Sequence, residues 1–176
     1  HVGVIRGILQ QEKISEKEQN SIMQLMDKKE YDAAIKLTEK AGASKKCTTI
    51  LGQLVECKGD QILEVTHRMK ELLAEHPKST AAVENLEEIL KLVTESECRI
   101  NMSVDAGFAR GLEYYTGMVF EIFVPRMDIA LGGGGRYDRL VELFGGEPTP
   151  AVGVAHGIDR IMLGMQGQKK APETRE

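Results

Sequence analysis

Arg110-Gly-Leu-Glu-Tyr-Tyr-Thr-Gly117 runs directly into Met118-Val-Phe-Glu-Ile-Phe-Val124, and the fold turns on that junction. The second stretch is β-branched and aromatic and is bounded by Gly117 and Pro125, which predicts a strand. Upstream, from Arg99, Ile100, Met102 and Val104 alternate with polar residues and predict another. A turn region from Ala106 to Gly111 would make the two antiparallel neighbours. Downstream, Ile129 to Leu131 reads as a short third strand ending in four glycines. Tyr137 to Phe144 reads as a short helix closed by Gly145-Gly146, Ala151 to Ala155 as a fourth strand, and Gly157 to Met165 as a last helix. The tail after it is polar and expected to fray.

The other half of the chain has a different character. Of 18 glycines, 13 lie in residues 99–176, as do seven of the eight aromatic residues, Tyr31 being the exception. A stretch poor in both, followed by one rich in both, predicts a helical unit and then a strand-rich one. Ser15 and Glu18 have capping-box spacing, and Ile22, Leu25 and Met26 then share a helical face. Tyr31 to Lys40 is a second helix, stopped by Gly42. A third runs from Ser44 to Cys57 and is closed by Gly59. Ile62, Met69, Leu72 and Leu73 mark a fourth that ends before Pro77. Val83, Leu86, Leu90 and Val93 trace the apolar face of a fifth. A bundle that packs these faces accounts for all of them.

Composition excludes several classes. No apolar run approaches the roughly 18 residues of a membrane span. Cys47, Cys57 and Cys98 are far apart and odd in number, with no CxxC pair, so free thiols in a reducing cytosol are expected rather than a disulfide framework or zinc knuckle. A net charge of −4 argues against a protein whose whole surface grips nucleic acid. Residues 1–98 carry 14 Lys+Arg against 17 Asp+Glu. Lys28, Lys29, Lys36, Lys40, Lys45 and Lys46 cluster locally and read as a solvated face before an RNA contact. His67 and His76 lack a third ligand nearby and read as surface histidines. The chain starts at His1 rather than Met and reads as a piece of a longer one.

Three segments can carry chemistry. Residues 110–117 gather an arginine, a carboxylate and two tyrosines: a planar cationic fork for carboxylate or phosphate, and hydroxyls able to donate and accept. Packed aromatics on a strand would explain them equally. Leu131-Gly-Gly-Gly-Gly-Arg-Tyr-Asp138 lets backbone approach a ligand closely. No GK[ST] follows it, so it is not a Walker loop, and the parallel βαβ setting of a dinucleotide fold is missing. Ala151-Val-Gly-Val-Ala-His-Gly-Ile-Asp-Arg160 feeds a helix carrying one arginine, which a surface position would also explain.

Taken together, RGLEYYTG, GGGGRYDRL and PAVGVAHGIDRI are similar in order and spacing to signature segments of histidyl-tRNA synthetases, and the last resembles the third class II motif. The opening His1-Val-Gly-Val-Ile-Arg-Gly-Ile-Leu resembles that family's strand-to-helix entry into its insertion. The resemblance is strong over residues 105–163 and loose in the helical part. It implies an α+β chain: a helical insertion domain over 1–98 whose first residues are an entry strand, the C-terminal part of a class II antiparallel sheet with flanking helices over 99–166, and a polar tail over 167–176. It further implies a cytoplasmic histidine–tRNA ligase that forms histidyl-adenylate from histidine and ATP, with Mg²⁺ accompanying ATP. The insertion would approach tRNA(His), and the intact enzyme would be a homodimer with no membrane association.

Carried over by position, Arg110 would be catalytic and contact the histidine carboxylate and the ATP α-phosphate. Tyr114 and Tyr115 would line the histidine pocket, with Gly133 and Gly134 in the glycine floor at 132–135. Arg160 and Gly157 would serve ATP. Glu113 stands where the family usually has Asp, and His156 where it usually has an apolar residue. The first two class II motifs and the anticodon-binding domain lie outside these residues, so the fragment alone is expected to be inactive. The alternative is the synthetase-like regulatory subunit of ATP phosphoribosyltransferase, and Arg110 discriminates: a ligase needs a cation opposite developing phosphate charge, a histidine sensor does not. An unrelated α+β binding module is the third reading.

Overall fold

The computed structural model describes residues 1–96, 100–111, 113–125 and 127–167. Six helices come first: α1 Val2–Gln11, α2 Glu16–Asp27, α3 Tyr31–Lys40, α4 Lys45–Val55, α5 Ile62–Leu72 and α6 Pro77–Glu95, with the two-residue strand β1 Lys58–Gly59 between α4 and α5. Then follow β2 Val104–Asp105, β3 Val119–Ile122, β4 Gly132–Arg136, α7 Leu140–Leu143, β5 Val152–His156 and α8 Ile158–Gly167. None of the described helices is long and apolar enough to cross a membrane.

The helices start and stop for local reasons. Ser15 and Glu18 form the expected capping box: the Ser15 hydroxyl accepts from the Glu18 N–H and the Glu18 carboxylate accepts from the Ser15 N–H. Ser44 caps α4 in the same way, accepting from Cys47 N–H, and its own N–H and hydroxyl are held by the Glu12 carboxylate. Pro77 opens α6, where a missing N–H costs nothing. Gly42 ends α3 at φ +93°, as the sequence implies. Lys13 and Lys29 take the same left-handed turn at φ 59° and 61° after α1 and α2, although neither is glycine.

The structure corrects several expectations. The opening residues are not an entry strand but helix from Val2. Val2, Val4, Ile5, Ile8 and Leu9 fall on one helical face and bury it against α6, so tertiary packing overrides the β-branched bias of Val-Gly-Val-Ile. Of the strand expected near residues 100–104, only Val104–Asp105 pairs, and its partner is β1 in the helical half (Lys58↔Asp105, Gly59↔Val104), not residues 118–124. Val104 is buried while Ile100 is 59% exposed, so the outer part of that alternation has no face to cover. The third strand is the glycine run itself rather than the residues before it. His67 is exposed and pairs with Glu71, but His76 is buried, with no hydrogen-bond partner at Nδ1. All six lysines of the local cluster are exposed. The composition break falls at residues 97–99, which, like Cys98, Leu112, Arg126 and the tail from 168, lie outside the described residues.

One apolar core crosses that break. Ile8, Leu9, Ile22, Leu54, Leu73 and Val83 are fully buried in the helical half, and Val104, Ala106, Ala109, Tyr115 and Val119 belong to the same cluster. Helices α1 and α6 cross tightly within it. A Cβ placed on Gly7 would lie 2.4 Å from Ser79 Oγ and 2.8 Å from Ser79 N. The Ser79 hydroxyl donates across the crossing to Val4 C=O at 2.8 Å. At the top of α1, Val2 N–H donates to Gly117 C=O at 3.0 Å, which ties the helix to the segment that enters β3.

Cys47 and Cys57 are free and buried, and burial pushes the Cys47 thiol up to about 12. Both therefore stay protonated and unreactive at neutral pH.

Two glycine-to-alanine substitutions should have opposite signs in urea denaturation. Gly7→Ala should destabilise by about 1–3 kcal/mol through overpacking. Gly52→Ala in α4, whose new methyl would meet only Ile35 Cδ1 at 3.6 Å, should stabilise by roughly 0.5–1 kcal/mol, because it removes backbone freedom inside a helix. Equal effects would contradict the packing described at the α1–α6 crossing.

Candidate functional site

Strands β3, β4 and β5 form an antiparallel sheet with β4 in the centre. Val119 pairs with Gly135 and Glu121 with Gly133 on one side of β4. Gly133 pairs with Ala155 and Gly135 with Gly153 on the other. Directly opposed residues share a face and successive ones alternate. One face therefore presents Val119, Glu121, Gly133, Gly135, Gly153 and Ala155. The opposite face presents Phe120, Ile122, Gly132, Gly134, Arg136, Val152, Val154 and His156.

The first face is nearly bare backbone, and chemistry-bearing side chains lie across it. A Cβ on Gly135 would come within 2.9 Å of the Tyr115 ring, and one on Gly153 within 2.0 Å of the Tyr137 hydroxyl. Tyr114 and Tyr115 have ring centroids 4.6 Å apart, and Tyr137 meets Tyr114 edge-on at 5.8 Å. The Arg110 guanidinium donates through Nη1 to the Glu121 carboxylate, and both side chains are half-buried. Burial, reinforced by the neighbouring Tyr114, raises the Tyr115 phenol to about 12, against an opposing pull from Arg110. Tyr115 is thus a neutral hydroxyl at physiological pH.

The segment carrying Tyr137 is pinned on both sides. Tyr137 N–H donates to Ala151 C=O at 2.8 Å, and Thr116 N–H to Arg136 C=O at 2.8 Å. The Arg136 guanidinium holds the Asp138 carboxylate and keeps its pKa below the ordinary range. Asp138 in turn accepts from Ala151 N–H.

The structure brings Arg110, Tyr114, Tyr115 and Gly133 together on or beside one face. Gly134 belongs to the same strand but its missing side chain points to the other face. There a Cβ would lie 2.0 Å from Gly153 C=O. Arg160 and Gly157 lie beyond the start of β4: the exposed Arg160 donates to Ala130 C=O at 2.8 Å, and Gly157 N–H to Leu131 C=O at 2.7 Å. His156 pairs with Gly132 on the face opposite Arg110.

Sequence reasoning missed Glu121 and Tyr137, which only the strand register places beside Arg110 and Tyr115. It also missed a cleft of about 710 Å³ between the helical half and the tyrosine cluster. Arg6, Lys78 and Arg139 line it against Glu16 and Glu113, with Tyr114, Tyr115 and Thr116 at its edge. Among the described residues no group of three or more His, Cys, Asp or Glu side chains could hold a metal.

Residues 1–161 match the family model described as histidyl-tRNA synthetase. The chain is 48% identical to the histidine–tRNA ligase of Methanocaldococcus jannaschii over 164 residues, covering 93% of this chain and 38% of that protein. It is 34% identical to that of Saccharolobus solfataricus, with the same coverage. The chain thus spans about two fifths of the length of these curated relatives. Among solved structures, histidyl-tRNA synthetase from Nostoc sp. PCC 7120 superposes with a TM-score of 0.75 at 26% identity, covering 97% of this chain and 41% of that one. An ATP phosphoribosyltransferase regulatory subunit/histidyl-tRNA synthetase from Bacillus halodurans has a TM-score of 0.77 at 22% identity and coverages of 92% and 41%, a likeness of fold.

The tyrosine cluster gives a spectroscopic check. Absorbance at 295 nm, which follows phenolate, should be the same in Tyr115→Phe and the parent up to about pH 11 and should diverge only above it, because the raised Tyr115 keeps its proton through the range where an ordinary tyrosine, near 10, loses it. Gly153→Ala should push the Tyr137 ring off the sheet and change the near-ultraviolet circular dichroism. An unchanged spectrum would count against the close packing of Tyr137 on Gly153.

Proposed function

Because the chain belongs to the histidyl-tRNA synthetase family, we propose that it supplies part of the active site of a histidine–tRNA ligase, the face of the sheet on which histidine and ATP meet to form histidyl-adenylate. The observation that carries this reading is the placement of one arginine and three tyrosines over a strip of glycine backbone. A strip without side chains lets Tyr115 and Tyr137 lie directly on the sheet, so that substrates would be received beside those rings and Arg110. The residues that recognise them then come from the flanking segments.

In adenylate formation a carboxylate oxygen of histidine attacks the α-phosphorus of ATP, a P–O bond to the β-phosphate breaks, and pyrophosphate leaves. Two anions must approach, and their repulsion falls when a cation lies between them. Arg110 offers a planar fork of five N–H donors, of which one nitrogen is engaged by Glu121. Its remaining donors can bond the carboxylate and the phosphate together, and those bonds strengthen as charge builds on the phosphate oxygens. Tyr115, kept neutral, can donate to or accept from an imidazole nitrogen, and Tyr114 and Tyr137 complete an aromatic wall. Arg160 and Gly157, beyond the start of β4, would meet the outer phosphates. Mg²⁺ would arrive as a ligand of those phosphates, the usual mode for this ion.

The cleft beside Tyr114 and Tyr115, which Arg6, Lys78 and Arg139 line together with Glu16 and Glu113, extends this reading to tRNA(His). It leads from the helical half, the insertion, to the tyrosine cluster, so the acceptor end could reach the adenylate from that side. Cytoplasmic localisation and a homodimer in the intact enzyme complete the proposal. The regulatory-subunit reading shares the fold but gives Arg110 no transition state to stabilise.

The experiment is a single-turnover measurement of adenylate formation in a full-length protein carrying these residues, at saturating histidine and ATP. Arg110→Ala should lower the rate by roughly 10² or more, and Arg110→Lys should stay impaired because a point charge lacks the fork. Tyr115→Phe should instead raise the KM for histidine with a smaller effect on the rate, since a neutral hydroxyl takes no developing charge. An Arg110→Ala protein that reacts as fast as the parent would refute the catalytic role of Arg110, whereas a parent protein that forms no adenylate would favour the regulatory reading.

A further inference from the structure

We propose that Glu121 is a positioning residue for adenylate formation: its carboxylate holds the Arg110 guanidinium over the glycine strip in the orientation the reaction uses. This rests on the assignment of Arg110 above.

A carboxylate on this face is costly for a site that binds anions. Glu121 shares the bare face with Val119, Gly133, Gly135, Gly153 and Ala155, and a phosphate laid on that strip would be repelled by an unpaired negative charge. The structure resolves the conflict by pairing. Glu121 Oε1 accepts from Arg110 Nη1, and the side chains are 22% and 29% exposed, so the contact is partly shielded from water. No other described carboxylate bonds this guanidinium.

The strand geometry makes the pair possible. Gly133 lies directly opposite Glu121, and even a methyl there would come within 3.3 Å of Glu121 Cγ. Arg110 precedes the tyrosines on an irregular segment, whereas Glu121 is fixed by the β3–β4 ladder. The Arg110 side chain is therefore anchored to a laddered strand through a charge-assisted hydrogen bond at one nitrogen, while its other donors stay available.

The test is a double-mutant cycle with single-turnover kinetics in the full-length protein. Glu121→Gln keeps the shape and removes the charge. It should slow adenylate formation about tenfold at saturating substrates, with the KM for histidine unchanged and the thermal midpoint preserved. Glu121→Asp, which keeps the carboxylate, should retain more activity than Glu121→Gln. In the Arg110→Ala background, Glu121→Gln should cause no further loss and should recover a little rate, because the guanidinium it positions is gone and the carboxylate left unpaired no longer repels the phosphate. Independent losses that multiply in the double variant would overturn the proposal. So would a rise in the MgCl₂ needed for half-maximal rate that persists without Arg110, the mark of a metal ligand. Parent-like kinetics in Glu121→Gln would overturn it as well. A parent-like Arg110→Ala would refute the underlying assignment of Arg110, a different failure from any of these.

Discussion

From Gly132 to Gly135, strand β4 has room for its own backbone and for nothing else. At Gly132, Gly133 and Gly134 a single methyl would come within 2.8 Å of a backbone oxygen on a neighbouring strand, and at Gly135 within 2.4 Å of the Met118 oxygen just before β3. Glycine is normally a poor strand former, since it gives up the most backbone entropy and offers no side chain to pack. Here that cost is offset by two complete ladders, to β3 and to β5. The bare face that results is what allows Tyr115 to lie against Gly135, Tyr137 against Gly153, and the Arg110–Glu121 pair to lie above Gly133. Side chains on β4 would lift all of them away.

Charge on this face is arranged with the same economy. Arg110 is the cation, Glu121 answers it, and Tyr115 beside them is neutral at physiological pH by a wide margin. His156 is turned to the other face by the register. The imidazole thus stays away from the guanidinium. The Arg136–Asp138 pair is also kept apart from it, where it anchors the chain on either side of Tyr137.

Much of this was legible beforehand, and the parts that were not share a cause. The capping box at Ser15, the helix over Tyr31–Lys40 and the existence of a strand within Met118–Val124, though shorter than expected at Val119–Ile122, rest on short-range signals that packing did not overrule. The β1–β2 pairing joins two-residue strands, too short for any periodicity. Lys13 and Lys29 stop helices without the glycine that usually marks such a stop. The glycine run reads as the end of a strand and is in fact the strand itself, because single-residue preference points away from glycine in a sheet. Arg110, Tyr114 and Tyr115 could be singled out by residue type. Glu121 and Tyr137 could not, since their roles depend on which residues lie opposite them once three strands are aligned.

The core that ignores the composition break has a dynamic consequence. Apolar residues from Val2 to Val119 belong to one cluster, α1 and α6 interlock at Gly7 and Ser79, and the Val2 amide is bonded to Gly117. Opening the α1–α6 clasp therefore also strips support from the Tyr115 segment, so the helical half and the start of β3 form one cooperative unit. In hydrogen-exchange terms, the amides of α1 and those leading into β3 should lose protection together. Anything that grips the helices from outside would then be felt at the tyrosines as a change in how often their backbone opens, without any side chain in between having to move.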